Sequence, residues 1–259
     1  MSDVQLIKQL REKTGAGMAD CQKALAEAGD DLNKAIEVLR KKGLEKAVKK
    51  AERSTAEGLI AMALADNKLA VVGLACETDF VALNKDFIKA VDQMAQQLLI
   101  TDLEPFKTWA DEKIKNELII KIGENMRLGS CGVHSGDLIG SYLHSNKKVA
   151  AVVIMKKGNQ ELANDLAMQV AAMSPKYLAP ADVASEELEK EKEIYREQLK
   201  NEGKPAAIWD KIIAGKLDKY YSEVCLLKQV FIKDDKMTIE ALLKANGDAE
   251  IESFSRYQI

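Results

Sequence analysis

The sequence predicts an α+β protein, on three observations. Apolar residues recur at helical spacing through the first 43 residues. A strand–turn–strand pattern followed by an amphipathic helix occurs twice, 79 residues apart and without a gap. From Ser185 a stretch dense in Glu, Lys and Arg, with few apolar positions, reads as one arm of a helical hairpin. These features divide the chain into an N-terminal helical bundle with its linker over residues 1–53, a core N-subdomain over 54–135 and a core C-subdomain over 136–259. The hairpin is inserted in the last of these at about 185–222.

The first helix takes Ser2 or Asp3 as its cap and sets Val4, Ile7 and Leu10 on one face. Thr14-Gly15-Ala16-Gly17 breaks it. A second helix through Cys21, Ala24 and Leu25 stops at Gly29. Asp30 or Asp31 caps a third, with Leu32, Ala35, Ile36 and Leu39 apolar, which is expected to end at Gly43. Lys46, Lys49, Lys50 and Arg53 then form a basic helical linker, and such a charge run is usually a solvated face.

The first hairpin is Leu59 to Leu64, a turn at Asp66-Asn67, and Leu69 to Cys76. A helix follows from about Asn84 to Leu99, burying Phe87, Ile88, Val91, Met94, Ala95 and Leu98. Further elements are a helix over Trp109 to Ile122 and a strand over Met126 to Val133. In the second copy Leu138-Ile139-Gly140 matches Leu59-Ile60-Ala61, Val149 to Met155 matches Ala70 to Cys76, and Asp165, Val170 and Met173 match Asp86, Val91 and Met94. A hairpin alone is marginal, so each copy needs its helix as a cover. Glu186 to Lys200 and Ile208 to Tyr221 are the hairpin arms, turning at Glu202-Gly203-Lys204-Pro205. Val230-Phe231-Ile232, a helix over Thr238 to Ala245 and a strand over Glu250 to Ile259 close the chain.

Composition narrows the function. With 31% charged and 47% hydrophobic residues and a net charge of -3, the chain has a globular balance without the basic excess of a general nucleic-acid binder. No apolar run reaches membrane-spanning length and no signal peptide is evident, so a cytoplasmic location is expected. Cys21, Cys76, Cys131 and Cys225 form no CxxC pair and read as reduced thiols. His134 and His144 are the two histidines. Cys131 and His134 lack the further ligands a zinc site needs, and His144 falls in a hairpin turn. Thr14 to Gly17 lacks the Gly-Lys-Ser/Thr ending of a phosphate loop, and no Gly-x-Ser-x-Gly elbow occurs. No metal, no cofactor and no catalytic residue are expected.

The segment that stands out is Glu77-Thr78-Asp79-Phe80-Val81, on a loop between a strand and a helix. An aromatic beside an aspartate there fits a contact role. It also fits a structural one, with Phe80 folded into the core and Asp79 capping a helix. The second copy reads Lys156-Lys157-Gly158-Asn159 in the same slot. The fold unit therefore does not require Asp-Phe, which favours contact.

Four segments resemble the elongation factor Ts family, in family order: Leu10 to Cys21, Cys76 to Val81, Ile122-Gly123-Glu124-Asn125, and Leu166 to Ala172. The resemblance covers nearly the whole chain. It implies a ubiquitin-associated-like N-terminal bundle, a two-part core and a coiled-coil hairpin. It implies an exchange factor without bond chemistry, whose partner is the GDP form of elongation factor Tu. In the family, Thr78, Asp79, Phe80 and Val81 would push into the partner's G domain and dislocate its magnesium, while Lys8, Arg11 and Met18 would dock on that domain. Met126 and Gln169 fall in segments placed at or near the contact. Two departures stand out: Ala19 replaces a frequent second Met, and the sequence stops at Ile259 where longer members continue. A homodimer through the helical hairpin is left open. The rival reading is a binding adaptor built on the N-terminal bundle, for which Thr78 to Val81 would have no use.

Overall fold

The computed structural model describes residues 4–50 and 52–259, without the side chains of 44–49. The expected caps Ser2 and Asp3, and the linker side chains Lys46 and Lys49, lie outside the described residues. The chain forms two compact units. One runs to His134 and takes in Leu143–Val149 and Tyr257–Ile259; the other comprises Ser135–Tyr142 and Ala150–Arg256.

The first unit begins with α1 (Val4–Thr14), α2 (Met18–Ala28) and α3 (Leu32–Lys50). Gly15 turns the chain at φ 67°, and Gly29 ends α2 in a left-handed conformation at φ 63°. Asp31 caps α3, its Oδ1 accepting from the backbone of Asn33 (2.9 Å) and Lys34 (3.1 Å). The bundle closes over Leu10, Cys21, Ala24, Leu25, Ala35 and Leu39. Val4, expected on the buried face, is exposed. Gly43, expected to stop α3, lies inside it. A Cβ there would sit 2.2 Å from Ile120 Cδ1, so this glycine serves close packing and not termination.

Strands β1 (Glu57–Ala65) and β2 (Lys68–Cys76) pair antiparallel, with Ala65 opposite Lys68, which leaves Asp66-Asn67 as the turn. Asp66 takes φ 49° there, a conformation Asp tolerates. A single turn, α4 (Asp79–Ala82), and the helix α5 (Lys85–Leu99) follow. The next helix starts at Leu103, six residues before the expected Trp109. Asp102 precedes it, and Pro105 sits in the first turn, where a missing N–H costs nothing. It runs as α6 (Leu103–Lys113), a π-helical turn (Ile114–Leu118) and α7 (Ile119–Ile122). Around this wide turn successive residues serve two cores: Ile119 joins Phe87, Met94 and Phe106 under the sheet, and Ile120 packs into the bundle. Strand β3 (Met126–Ser135) completes a sheet of order β1-β2-β3.

The second unit repeats the plan with β4 (Leu138–Leu143), β5 (Val149–Lys157) and α8 (Gln160–Met173). Then come α9 (Ser185–Asn201) and α10 (Trp209–Val224), the hairpin. Glu187 pins its base by accepting hydrogen bonds from Tyr177 (2.5 Å) and Tyr220 (2.6 Å). Strands β6 (Val230–Phe231) and β7 (Asp234–Thr238) form a small ribbon; the polar β7 was not evident in the sequence. Helix α11 (Ile239–Ala245) leads to β8 (Glu250–Gln258), which closes the sheet β4-β5-β8. Among the described residues, no helix is long and apolar enough to cross a membrane.

Candidate functional site

The Thr78–Val81 segment is not a loop but the helical turn α4. Thr78 is its N-cap, the hydroxyl accepting from Val81 N at 3.4 Å. Asp79, the expected cap, is already inside the helix, and its Oδ1 takes the Phe80 N–H at 2.9 Å. The turn is amphipathic. Val81 and Ala82 face the core, while Phe80 is 82% exposed and Leu83 74% exposed. The two expectations for this segment thus divide: the turn is anchored structurally, and its aromatic faces outward.

The turn is fastened to a second segment 46 to 48 residues away. Glu124 Oε2 accepts from the backbone of Glu77 and Thr78 at 3.1 Å each, and Thr78 Oγ1 donates to Glu124 Oε1 at 2.6 Å. In return Glu77 Oε1 accepts from Asn125 N at 2.6 Å, and Glu77 pairs with Arg53 at 3.4 Å. Asn125 is buried and donates through Nδ2 to the Arg53 carbonyl at 2.9 Å. Lys50, at the end of α3, donates to the Gly123 carbonyl. The Asn125 N–H, aided by Arg53, holds the Glu77 carboxyl below the usual carboxylate range. Cys76, just before the turn, is pushed up to about 12 by burial and then by the charge of Glu124, so its thiol is an unreactive core group.

Lys8 and Arg11 lie one helical turn apart on α1, both exposed, and Met18 opens α2 at 62% exposure. No hydrogen bond or ion pair among the described residues joins these three to the Thr78–Val81 turn. Met126 and Gln169 are buried. Met126 is packed into the core beneath the sheet. Gln169 is 0% exposed and its amide is fully used: Nε2 donates to Gln229 Oε1 (3.2 Å) and the Val230 carbonyl (3.0 Å), and Oε1 accepts from Ile232 N (2.9 Å). Both are interior residues that order their surroundings.

The pairing of Glu124 and Asn125 with Glu77 and Thr78 has no signal in the sequence, since nothing in a separation of 46 to 48 residues indicates it. Nor has that of Arg53 with Glu77. Among the described residues no group of three or more His, Cys, Asp or Glu is arranged to hold a metal ion. The four cysteines are free. His134 Nε2 instead meets the Tyr257 hydroxyl at 2.7 Å, and burial lowers the basicity of its imidazole. His144 is exposed in the β4–β5 loop, as its position predicts.

The family model described as "Elongation factor TS" matches residues 77–259, beginning at the clamp glutamate. The chain belongs to the elongation factor Ts family. Three proteins named elongation factor Ts illustrate the similarity. That of Clostridium kluyveri is 41% identical, covering 100% of this chain and 92% of its own length. That of Hydrogenovibrio crunogenus is 44% identical, covering 98% and 90%. That of Desulfovibrio desulfuricans is 42% identical, covering 98% and 97%. The family places the chain among translation elongation factors, and its mixed α+β architecture agrees with the family's fold.

Proposed function

We propose that this protein is the guanine nucleotide exchange factor for elongation factor Tu. It binds the GDP form, loosens the nucleotide without making or breaking a covalent bond, and thereby allows GTP to enter. The observation that carries this reading is Phe80, a large aromatic turned to solvent on a turn whose every other contact fixes it in place. An isolated exposed apolar residue needs no explanation, but one mounted on a clamped turn is preorganised for burial in a partner.

The proposed mechanism follows from linkage. A factor that binds the nucleotide-free partner more tightly than the GDP form must weaken GDP binding by the same factor. Burial of Phe80 in the partner's G domain contributes about 1.5–3 kcal/mol, which corresponds to about one to two decades of affinity. Asp79 adds a negative charge beside it, in a position to disturb the partner's phosphate-bound magnesium. Lys8, Arg11 and Met18 provide a second foothold, with two cations and an adaptable apolar side chain. Met126 and Gln169 act from the interior by shaping the surfaces above them.

Stopped-flow release of fluorescent GDP from elongation factor Tu tests the reading. The protein accelerates release, and Phe80→Ala lowers the maximal rate by about 10- to 100-fold, with an unchanged melting temperature because Phe80 has almost no contact to lose. Failure of the unaltered protein to accelerate release refutes the function. Full activity of Phe80→Ala refutes the role of the turn.

A further inference from the structure

The clamp beneath the turn has a directional feature. A threonine hydroxyl has a single hydrogen to donate. Thr78 gives it to Glu124 Oε1 at 2.6 Å, which turns the oxygen lone pairs toward Val81 N, the bond that caps α4. The carboxylate also polarises the hydroxyl and strengthens it as an acceptor. With Glu77 N and Thr78 N on its other oxygen, one carboxylate fixes the position, orientation and hydrogen-bond sense of the residue that starts the turn. The Thr78 carbonyl then accepts from Ala82 N at 3.2 Å, which closes the turn carrying Phe80. The repeat shows that the fold does not demand this arrangement: Asn159 caps α8 with its own side chain at 2.9 Å from Leu162 N.

We infer that Glu124 is a positioning residue for nucleotide release, acting through the Thr78 hydroxyl to hold the Phe80 turn in its working attitude. The inference rests on the exchange reading above and adds to it a residue that touches neither the partner nor the nucleotide. Its distinguishing consequence is a loss of maximal rate without a loss of docking, since Lys8, Arg11 and Met18 lie on other elements.

The test uses the full-length protein and GDP release from elongation factor Tu. Glu124→Gln keeps the size and removes the charge. It lowers the maximal release rate by about tenfold and changes the half-saturating factor concentration by less than about twofold. Thr78→Val, which keeps the shape and loses the hydroxyl, gives a similar loss, and Thr78→Ser recovers most of it. The double variant Glu124→Gln/Thr78→Val is no worse than either single one, because both cut the same relay. Additive losses, or a maximal rate untouched by Glu124→Gln, overturn the inference. If Glu124→Gln fails to fold, the Thr78→Val and Thr78→Ser pair decides alone, and equal rates for the two overturn it. Hydrogen exchange at the Val81 and Ala82 amides separates the two readings. Should the unaltered protein not accelerate release, the exchange function fails. Faster amide exchange in Glu124→Gln would still uphold the ordering of the turn, and unchanged exchange would overturn it.

Discussion

The chain builds a strand-to-helix junction twice, and the two differ where function is proposed. In the second copy β5 runs to Lys157, Gly158 and Asn159 make the bend, and α8 starts at once and continues unbroken to Met173. In the first copy β2 stops at Cys76, a separate turn occupies 79–82, and α5 begins only at Lys85. Leu162 is buried in the second copy, whereas its counterpart Leu83 is exposed, and the capping Asn159 corresponds to the exposed Phe80. Phe87 and Leu166, and then Val91 and Val170, are buried alike. The interruption is therefore local. A helix that would bury its first turn is broken so that two apolar residues face outward, and a remote carboxylate holds the break in shape.

The sharpest way to break this comparison is at Gly140, whose counterpart is Ala61. A Cβ at Gly140 would lie 2.0 Å from the Ala163 carbonyl oxygen and 2.2 Å from its carbon, backbone atoms of the unbroken first turn of α8 that cannot move aside. In the first copy the position matching Ala163 is Asn84, at the helix break, and the strand carries alanine. Gly140→Ala is expected to destabilise by about 3 kcal/mol, read from urea unfolding of the second unit. Ala61→Gly, which only loosens a strand, costs about 1 kcal/mol or less. Equal effects would mean that the break in the first copy makes no difference to its packing.

Next in size is a dissociation between function and stability at matched positions. Asn159→Ala removes the side chain that caps α8 and costs about 1 kcal/mol, with no change in GDP release. Phe80→Ala, at the same place in the first copy, does the reverse. A release defect in Asn159→Ala, or a stability loss in Phe80→Ala, would remove the division of labour between the copies.

Much of this was legible in the sequence because it is local. The cap at Asp30 or Asp31, the helix starts near Asn84 and Thr238, and the stops at Gly29 and Asp66-Asn67 are properties of neighbouring residues, and the structure keeps them, with Asp31 as the cap. What was not legible depends on distant partners. Gly43 reads as a helix stop until Ile120 is found against it. Gln169, which the resemblance puts at or near the contact, has its hydrogen bonds filled by β6 and Gln229. In the turn, comparison with the second copy already favours an outward Phe80. What it does not reveal is Glu124, whose bond to Thr78 spans 46 residues.

The smallest expected effect concerns pH, and it sets the two junctions at opposite ends of the scale. Glu77 and its counterpart Lys156 both sit at the strand end. Glu77 is held below the usual carboxylate range, first by the Asn125 N–H and then by Arg53. Its contribution to stability is therefore complete above the unfolded value of about 4.3 and is lost as pH falls through the lower folded value. Lys156 is shifted the other way, raised by its hydrogen bond to Glu250 at 2.8 Å. Its contribution is complete below the unfolded value of about 10.4 and is lost as pH rises through the higher folded value. Lys156 is 54% exposed, so its change is small, and Glu77, 19% exposed, gives the larger of the two. Melting temperatures of Glu77→Gln and Lys156→Gln across the pH range check the signs. The Glu77 variant converges on the unaltered protein in acid and the Lys156 variant in alkali. Convergence of both at the same end would show that the two junctions do not rest on opposite charges.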